Sequence, residues 1–300
     1  MDAAHQALRH VRAHARGGPL DAAVRVTVHF HPDRAARGRS TLQALLGDGT
    51  YLSQFATGTS NGGLTAHPGG DRWNWESRLF GAAYDAEPPR SRPVYGSLNH
   101  RSRSAGGSVR FGSAHLRLRP EVLARTTFCF PDSAAEPVDL GVAERCDLTA
   151  LADASGRDVL DDYVEAHVHG GVLLARDVEA LVLDPSFRGG PVEAVAGAFP
   201  APLEWHDGFA LSRDDFARPV VRSFRGADVA AVAASLGPVV TPAVIGAATW
   251  TGEFDEQVLT RVWHCVARFG YAGRGGRRGA RPTLPSRDLD AAVAYRDGGG

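Results

Sequence analysis

Apolar and polar side chains alternate with a period of two through much of the first two thirds of the chain, and that period predicts strands. In VRVTVHFH, Val24, Val26, Val28 and Phe30 alternate with Arg25, Thr27, His29 and His31, a half-buried strand that Pro32 ends. In YVEAHVHG, Val164, Ala166 and Val168 share one face while Glu165, His167 and His169 share the other. VEALVLD gives a further strand after a turn at Gly170 and Gly171, and YLSQFAT, PVYGSLN, SAHLRLR and RTTFCF read as strands set apart by Gly, Pro and Asn. A helical period appears over residues 3–16, with Leu8, Val11 and Ala15 as its stripe, in a short helix over residues 40–46, and in RWNWESRLFG, predicted as a helix that buries its tryptophans. Beyond Pro191 the period is helical, with stripes Val229, Val232, Ala233, Leu236 and Val258, Val262, Val266, Phe269, stopped by Gly270.

Together these elements predict an α+β protein. It comprises a helix over residues 1–19, a domain over 20–190 built on a split or partly open mixed sheet with a polar cleft, a helical subdomain over 191–270, and an Arg/Gly-rich tail over 271–300 too polar to order itself. At 300 residues the chain buries a core large enough to fold without disulfides or structural metals. Cys129, Cys146 and Cys265 form no CxxC pair and are odd in number, which points to a reducing compartment. No signal peptide or membrane-length apolar run is present, so a cytoplasmic location is expected, with export by a route that reads no signal peptide left open. A formal net charge of −1 gives no general attraction to membranes or nucleic acid, although every one of the 33 basic side chains is arginine.

Two titratable strand faces carry the candidate chemistry. A carboxylate and imidazoles in line are too polar to bury without partners, so these faces are expected to meet a cleft or solvent. His29, His31, His167 and His169, with Glu165 beside them, have the His-x-His spacing of divalent-metal ligands and suggest a metal-dependent hydrolase. Chance pairs in a chain with twelve histidines explain the same pattern as solvated strand faces. GTSNGG lacks the lysine of a phosphate loop and reads as a turn, and His264-Cys265 reads as part of a buried helix stripe.

The segments VTVHFHPDR, SQFATGTSNGGLTAHPGGDRWNWESRLFG, RPVYGSLN, FGSAHLRLRPEVLARTTFCFPDS and DDYVEAHVHGGVLLARDVEALVLDPSF resemble a bacterial family of unknown function, the domain-of-unknown-function family 3626. Their order is similar to that of mono-ADP-ribosyltransferases of the arginine-serine-glutamate type. In that superfamily one strand supplies a basic residue, a second opens a Ser-Thr-Ser motif and a late strand carries a catalytic glutamate. The resemblance implies Glu165 as that glutamate and Thr57, Thr59, Ser60 and Asn61 as groups that brace it or the nicotinamide amide. Gln54 lies in the Gln-Phe that precedes the motif, Tyr51 would stack on the nicotinamide, and His29 or Arg34 would pair with the diphosphate or its ribose. Tyr163 stands where this superfamily usually has Glu or Gln, which argues against arginine as acceptor. The resemblance thus implies NAD as substrate and transfer of ADP-ribose to a macromolecule; a cleft that holds a nucleotide or peptide without turnover is the non-enzymatic alternative.

Overall fold

The computed structural model describes residues 2–36, 38–58 and 66–273. Its frame is an eight-stranded sheet: β1 (Val26–Phe30), β2 (Val94–Leu98), β3 (Ala114–Leu118), β4 (Thr126–Phe130), β5 (Asp139–Val142), β6 (Val164–Val168), β7 (Val178–Leu183) and β8 (Leu203–Trp205), in the order β8-β7-β3-β1-β2-β6-β4-β5. All neighbours are antiparallel except β7 and β8, which makes the sheet mixed. The edge strand β8 lies beyond residue 190, so the sheet draws on chain that the sequence assigns to the helical part.

Alternation along the strands sends Val26, Val28, Phe30, Leu116, Leu118, Phe128, Val164, Ala166, Val168, Leu181 and Leu183 into the main core. Helix α1 (Ala3–His14) lies with α2 (Thr41–Asp48) on opposite faces: α2, held at its start by a Ser40–Gln43 capping box, sends Leu42 and Leu45 into the main core. Asp2 caps α1, which packs Ala3, Ala7 and Val11 against Phe80, Tyr84 and Cys129 on the other side. The stripe of α1 is therefore made largely of alanines, with Leu8 only half-buried.

Three sequence expectations change here. Strand β1 is buried at all five positions rather than on one face, because both sides of the sheet are covered. YLSQFAT is not a strand: only Thr50 and Tyr51 are extended, then Ser53 caps a single helical turn, α3 (Gln54–Thr57), by accepting the Ala56 amide at 3.2 Å. The next helix, α4 (Asp71–Leu79), buries Arg72, Glu76 and Leu79, and its tryptophans are only half-buried.

Residues 209–269 form a helical unit in which α5 (Pro219–Arg225), α6 (Ala227–Leu236), α7 (Pro242–Thr251) and α8 (Glu256–Phe269) share a second core around Val229, Ala233, Ile245, Val262 and Trp263. Ala105 and Val109 of the loop over the sheet belong to the same core, and the Trp263 indole N–H donates to the carbonyls of Val109 and Arg110 at 3.0 and 3.2 Å. No helix among the described residues is long and apolar enough to cross a membrane. The tail expected over 271–300 lies, from residue 274 on, outside the described residues.

Candidate functional site

The sheet parts between β1 and β2. These strands pair only at Val26↔Leu98 and Thr27↔Ser97; beyond that point β1 continues beside β3 as far as Phe30↔Ala114, and β2 beside β6 as far as Val94↔Val168. Gly96 sits where they separate, and a Cβ there would stand 2.7 Å from the Thr27 carbonyl oxygen, so the branch point requires glycine. The opening is a cleft with about 610 Å³ of unfilled space including its mouth. His29, Tyr95, Ser97 and Glu165 line its strand side, Tyr51, Ser53, Gln54 and Arg72 enter from the flanking helices, and Ser108 and Phe111 close it from above.

Register explains why these groups meet. Thr27, Ser97, Glu165 and Cys129 are successive cross-strand partners on β1, β2, β6 and β4 and point to the same face. The hydroxyls of Thr27 and Ser97 are 3.1 Å apart, and the Gly107 amide donates to Thr27 Oγ1 at 3.0 Å. The covering loop approaches this closely because residue 106, at φ +88°, has no side chain: a Cβ there would lie 2.4 Å from His29 Nε2.

Glu165 is the acid of the cleft. Its Oε1 accepts from the Ser133 amide at 3.1 Å and from His167 Nε2 at 2.8 Å, with Cys129 Sγ at 3.7 Å. Burial opposes its ionisation, but the His167 hydrogen bond and charge, the Ser133 amide and the Arg72 guanidinium outweigh burial and hold the carboxyl below its ordinary range. Cys129 is the reverse case: burial, then the neighbouring Glu165 carboxylate, push its thiol well above the usual range and keep it protonated.

Behind Glu165 runs a buried chain of side chains. His167 Nδ1 is 3.2 Å from Thr127 Oγ1, which is 3.0 Å from His169 Nε2, and His169 Nδ1 is 2.7 Å from the Tyr84 hydroxyl. A carboxylate only accepts, so His167 donates from Nε2. In the tautomer that leaves Nδ1 free to accept, Nδ1 takes the Thr127 hydroxyl proton, Thr127 accepts from His169 Nε2, and His169 Nδ1 accepts from Tyr84. Every proton in the chain points toward the carboxylate. Phe80 meets both imidazoles edge-on at 5.2 Å and seals them from solvent.

The remaining residues singled out in the sequence divide. His29, Tyr51, Gln54 and Glu165 line one cleft. His29, however, is neutral: burial lowers it to about 3, its Nε2 accepts the Ser108 amide at 3.2 Å, and Nδ1 donates to the Gly112 carbonyl at 3.3 Å. It supplies no charge for a diphosphate. Arg34 does not line the cleft and forms an ion pair with Glu256 at 2.7 Å, beside a separate hollow lined by His31, Asp33 and Trp263. Thr57 turns its hydroxyl back to the Ser53 and Gln54 carbonyls, and Thr59, Ser60 and Asn61 lie outside the described residues. The four histidines of the metal reading do not converge: His29 stacks on His115, His31 meets the Trp263 ring, His167 holds Glu165 and His169 stacks on Tyr84. Among the described residues, the group that gathers possible metal-binding atoms within 4.8 Å of one another is Cys129, Glu165 and His167.

The guanidinium of the cleft is Arg72. It is 7% exposed and lies over the Tyr95 ring at 4.8 Å, yet its Nε has no hydrogen-bond partner among the described residues. One turn on, Glu76 is wholly buried and accepts from Arg92 Nη1 at 2.6 Å and the Tyr95 hydroxyl at 3.1 Å, which ties α4 to the sheet and fixes Arg72 over the cleft. Gln54 Oε1 and Ser108 Oγ are also buried without partners there. Buried polar atoms are nearly always satisfied, so three orphans along one cleft mark it as built to hold a polar ligand. Ser97, Tyr95 and Ser108 had no place in the sequence reading of the site; Arg72 reads in the sequence as an ion-pair partner of Glu76 or Asp85, with a phosphate contact as the alternative, and Glu76 is instead paired with Arg92. The spacing Arg72, Glu76, Leu79 on one helical face was the available signal for Arg72.

This fold and cleft define a split-sheet α+β protein with an ionised carboxylate buried at the branch. The chain matches the model of the family described as Protein of unknown function (DUF3626) over residues 25–155 and 144–261, and belongs to that family. No curated protein matches it.

Proposed function

We propose that the protein binds NAD in the cleft between β1 and β2 and transfers its ADP-ribose to a macromolecular acceptor. The observation that carries this reading is the ionised Glu165, in register with Ser97 and Thr27, facing a cleft that also holds Arg72 Nε, Gln54 Oε1 and Ser108 Oγ, each without a partner among the described residues. Cleavage of the nicotinamide–ribose bond sends the bonding electrons to neutral nicotinamide and leaves an oxocarbenium-like ribose. A fixed carboxylate offsets that developing charge without reorganising. The hydrogen bonds to Glu165 among the described residues fall on Oε1, so Oε2 is the atom that would hold the ribose hydroxyl. Arg72 would take the diphosphate, a role the sequence assigned to His29 or Arg34. Tyr51 would face the nicotinamide, and Gln54 Oε1 would accept from its amide.

The test is nicotinamide release from NAD by the purified protein, with and without cell lysate as a source of acceptor. Glu165→Gln is expected to abolish release while leaving the melting curve close to that of the parent. Stabilisation by NAD with no nicotinamide released under any condition would refute transfer and leave a binding protein.

A further inference from the structure

We propose that Cys129, Glu165 and His167 form a binding site for a thiophilic divalent cation of the zinc class, and that occupation of this site switches off the cleft by cancelling the negative charge of Glu165. The binding half stands on the side-chain cluster alone; the inhibitory half rests on the function proposed above.

The three donors face one another across β4 and β6, with Glu165 Oε1 2.8 Å from His167 Nε2 and Cys129 Sγ 3.7 Å from that oxygen and 4.0 Å from that nitrogen. Zinc bonds oxygen and nitrogen at about 2.0–2.2 Å and sulphur at about 2.3 Å. A point at those distances from all three atoms exists without moving them, with angles at the metal of roughly 85–135°, an open three-ligand geometry. Glu165 borders the cleft, which gives the ion a route to the site. One carboxylate, one thiolate and one neutral imidazole around a divalent cation sum to zero charge, which suits a site this buried.

The surroundings already orient the ligands. Ser133 holds the carboxylate through its amide, and Thr127 lies 3.2 Å from His167 Nδ1, the second-layer contacts that fix metal-binding groups. On binding, the thiol proton leaves to solvent and Nε2 gives its lone pair to the metal. The imidazole proton moves to Nδ1, where Thr127 Oγ1 accepts it; the Thr127 hydroxyl then donates to His169 Nε2, whose own proton shifts to Nδ1 and is accepted by the Tyr84 hydroxyl. No oxidant or reductant is involved.

The experiment titrates the full chain with zinc chloride and, separately, cadmium chloride. Expected are one ion per chain, a thiolate-to-cadmium charge-transfer band in the ultraviolet, and an X-ray absorption signature of one sulphur and otherwise N/O donors around zinc. Cys129→Ser and Cys129→Ala should each weaken binding at least about tenfold and remove the band, although Cys146 and Cys265 remain. A zinc site without sulphur, or a band that survives both variants, overturns the proposal; the absorption measurement on the unaltered protein decides even if a variant fails to fold. Where NAD turnover is measurable, zinc should suppress it and a chelator restore it, and full turnover with the site loaded overturns the inhibitory half. Zinc bound through Cys129 in a protein that never turns over NAD leaves the metal site standing and removes the transferase reading.

Discussion

Ser97 and Glu165 are direct cross-strand partners on β2 and β6, in the last row before β1 and β2 part, and both face the cleft. The hydroxyl of Ser97 rests 3.1 Å from that of Thr27, a second link that keeps it aimed along the row. On the proposed function, Ser97→Ala removes a donor beside the reacting ribose. The rate of nicotinamide release is expected to fall about 10- to 100-fold, the effect of one polar contact strengthened in the transition state, with the melting temperature little changed. An unchanged rate would separate Ser97 from the chemistry.

Arg72 is a buried cation whose Nε is unmatched among the described residues, and its charge favours the ionised Glu165. Arg72→Gln is expected to leave the fold intact while affinity for NAD and ADP-ribose falls about 10- to 100-fold. Thermal shifts with ADP-ribose, read alongside urea midpoints, give both numbers. A variant that loses stability and keeps its affinity would show Arg72 to be a packing residue.

Removal of Arg92 strands Glu76. Burial pushes that carboxyl upward in pKa, and the Arg92 charge and hydrogen bond are the first of the contacts that pull it back. Arg92→Ala is expected to cost about 3–5 kcal/mol, the usual penalty for breaking a buried pair on one side. Arg92→Ala with Glu76→Gln should recover part of it, since a neutral amide is cheaper to bury. Urea denaturation of the single and double variants measures the difference.

Acid should unfold this protein early. Burial lowers His29, His31 and His169 from 6.5 to about 3, so between those values the unfolded chain binds protons that the folded chain refuses. Their contribution is complete above pH 6.5 and lost as pH falls toward 3, at about 1.4 kcal/mol per pH unit for each. His115 and His264, also buried, act in the same direction. Asp33, Glu76 and Asp132 oppose them: burial raises each carboxyl, Asp33 to about 7, so their share of the folded state's stability grows as pH falls. Five imidazoles against three carboxyls still leave a net loss as pH falls below 6.5. Melting temperatures at pH 7.5, 6 and 5 should drop progressively, and a flat profile would contradict the buried, neutral state of these rings.

Period-two patterning revealed the strands because alternation survives even where both faces are covered. It misjudged the environment of the His-x-His faces, since Phe80, Tyr84 and the 105–111 loop arrive from distant chain to cover them. Glu165 was legible as an acidic residue on a strand face otherwise lined with histidines. Tyr51 and Gln54 were legible as well, although their segment reads as a strand and is mostly a helical turn, a choice made by the Ser53 cap rather than by the aromatic and β-branched residues around it. Ser97 was hidden for a different reason: it gains its place only through the register of residues 94–98 against 164–168, a long-range pairing that leaves no local signature. Arg72 was legible as a phosphate contact, but the Glu76–Arg92 tie that fixes it over the cleft was not.

The indole of Trp263 fastens the loop above the cleft to the last helix, so the roof over the cleft is held by chain 154 residues further on. A fragment ending at the final sheet strand would keep every residue on the cleft floor and yet lose the anchor of its covering. The C-terminal helices therefore belong to the same working unit as the sheet, and trimming them to isolate a minimal domain would uncover the carboxylate to solvent.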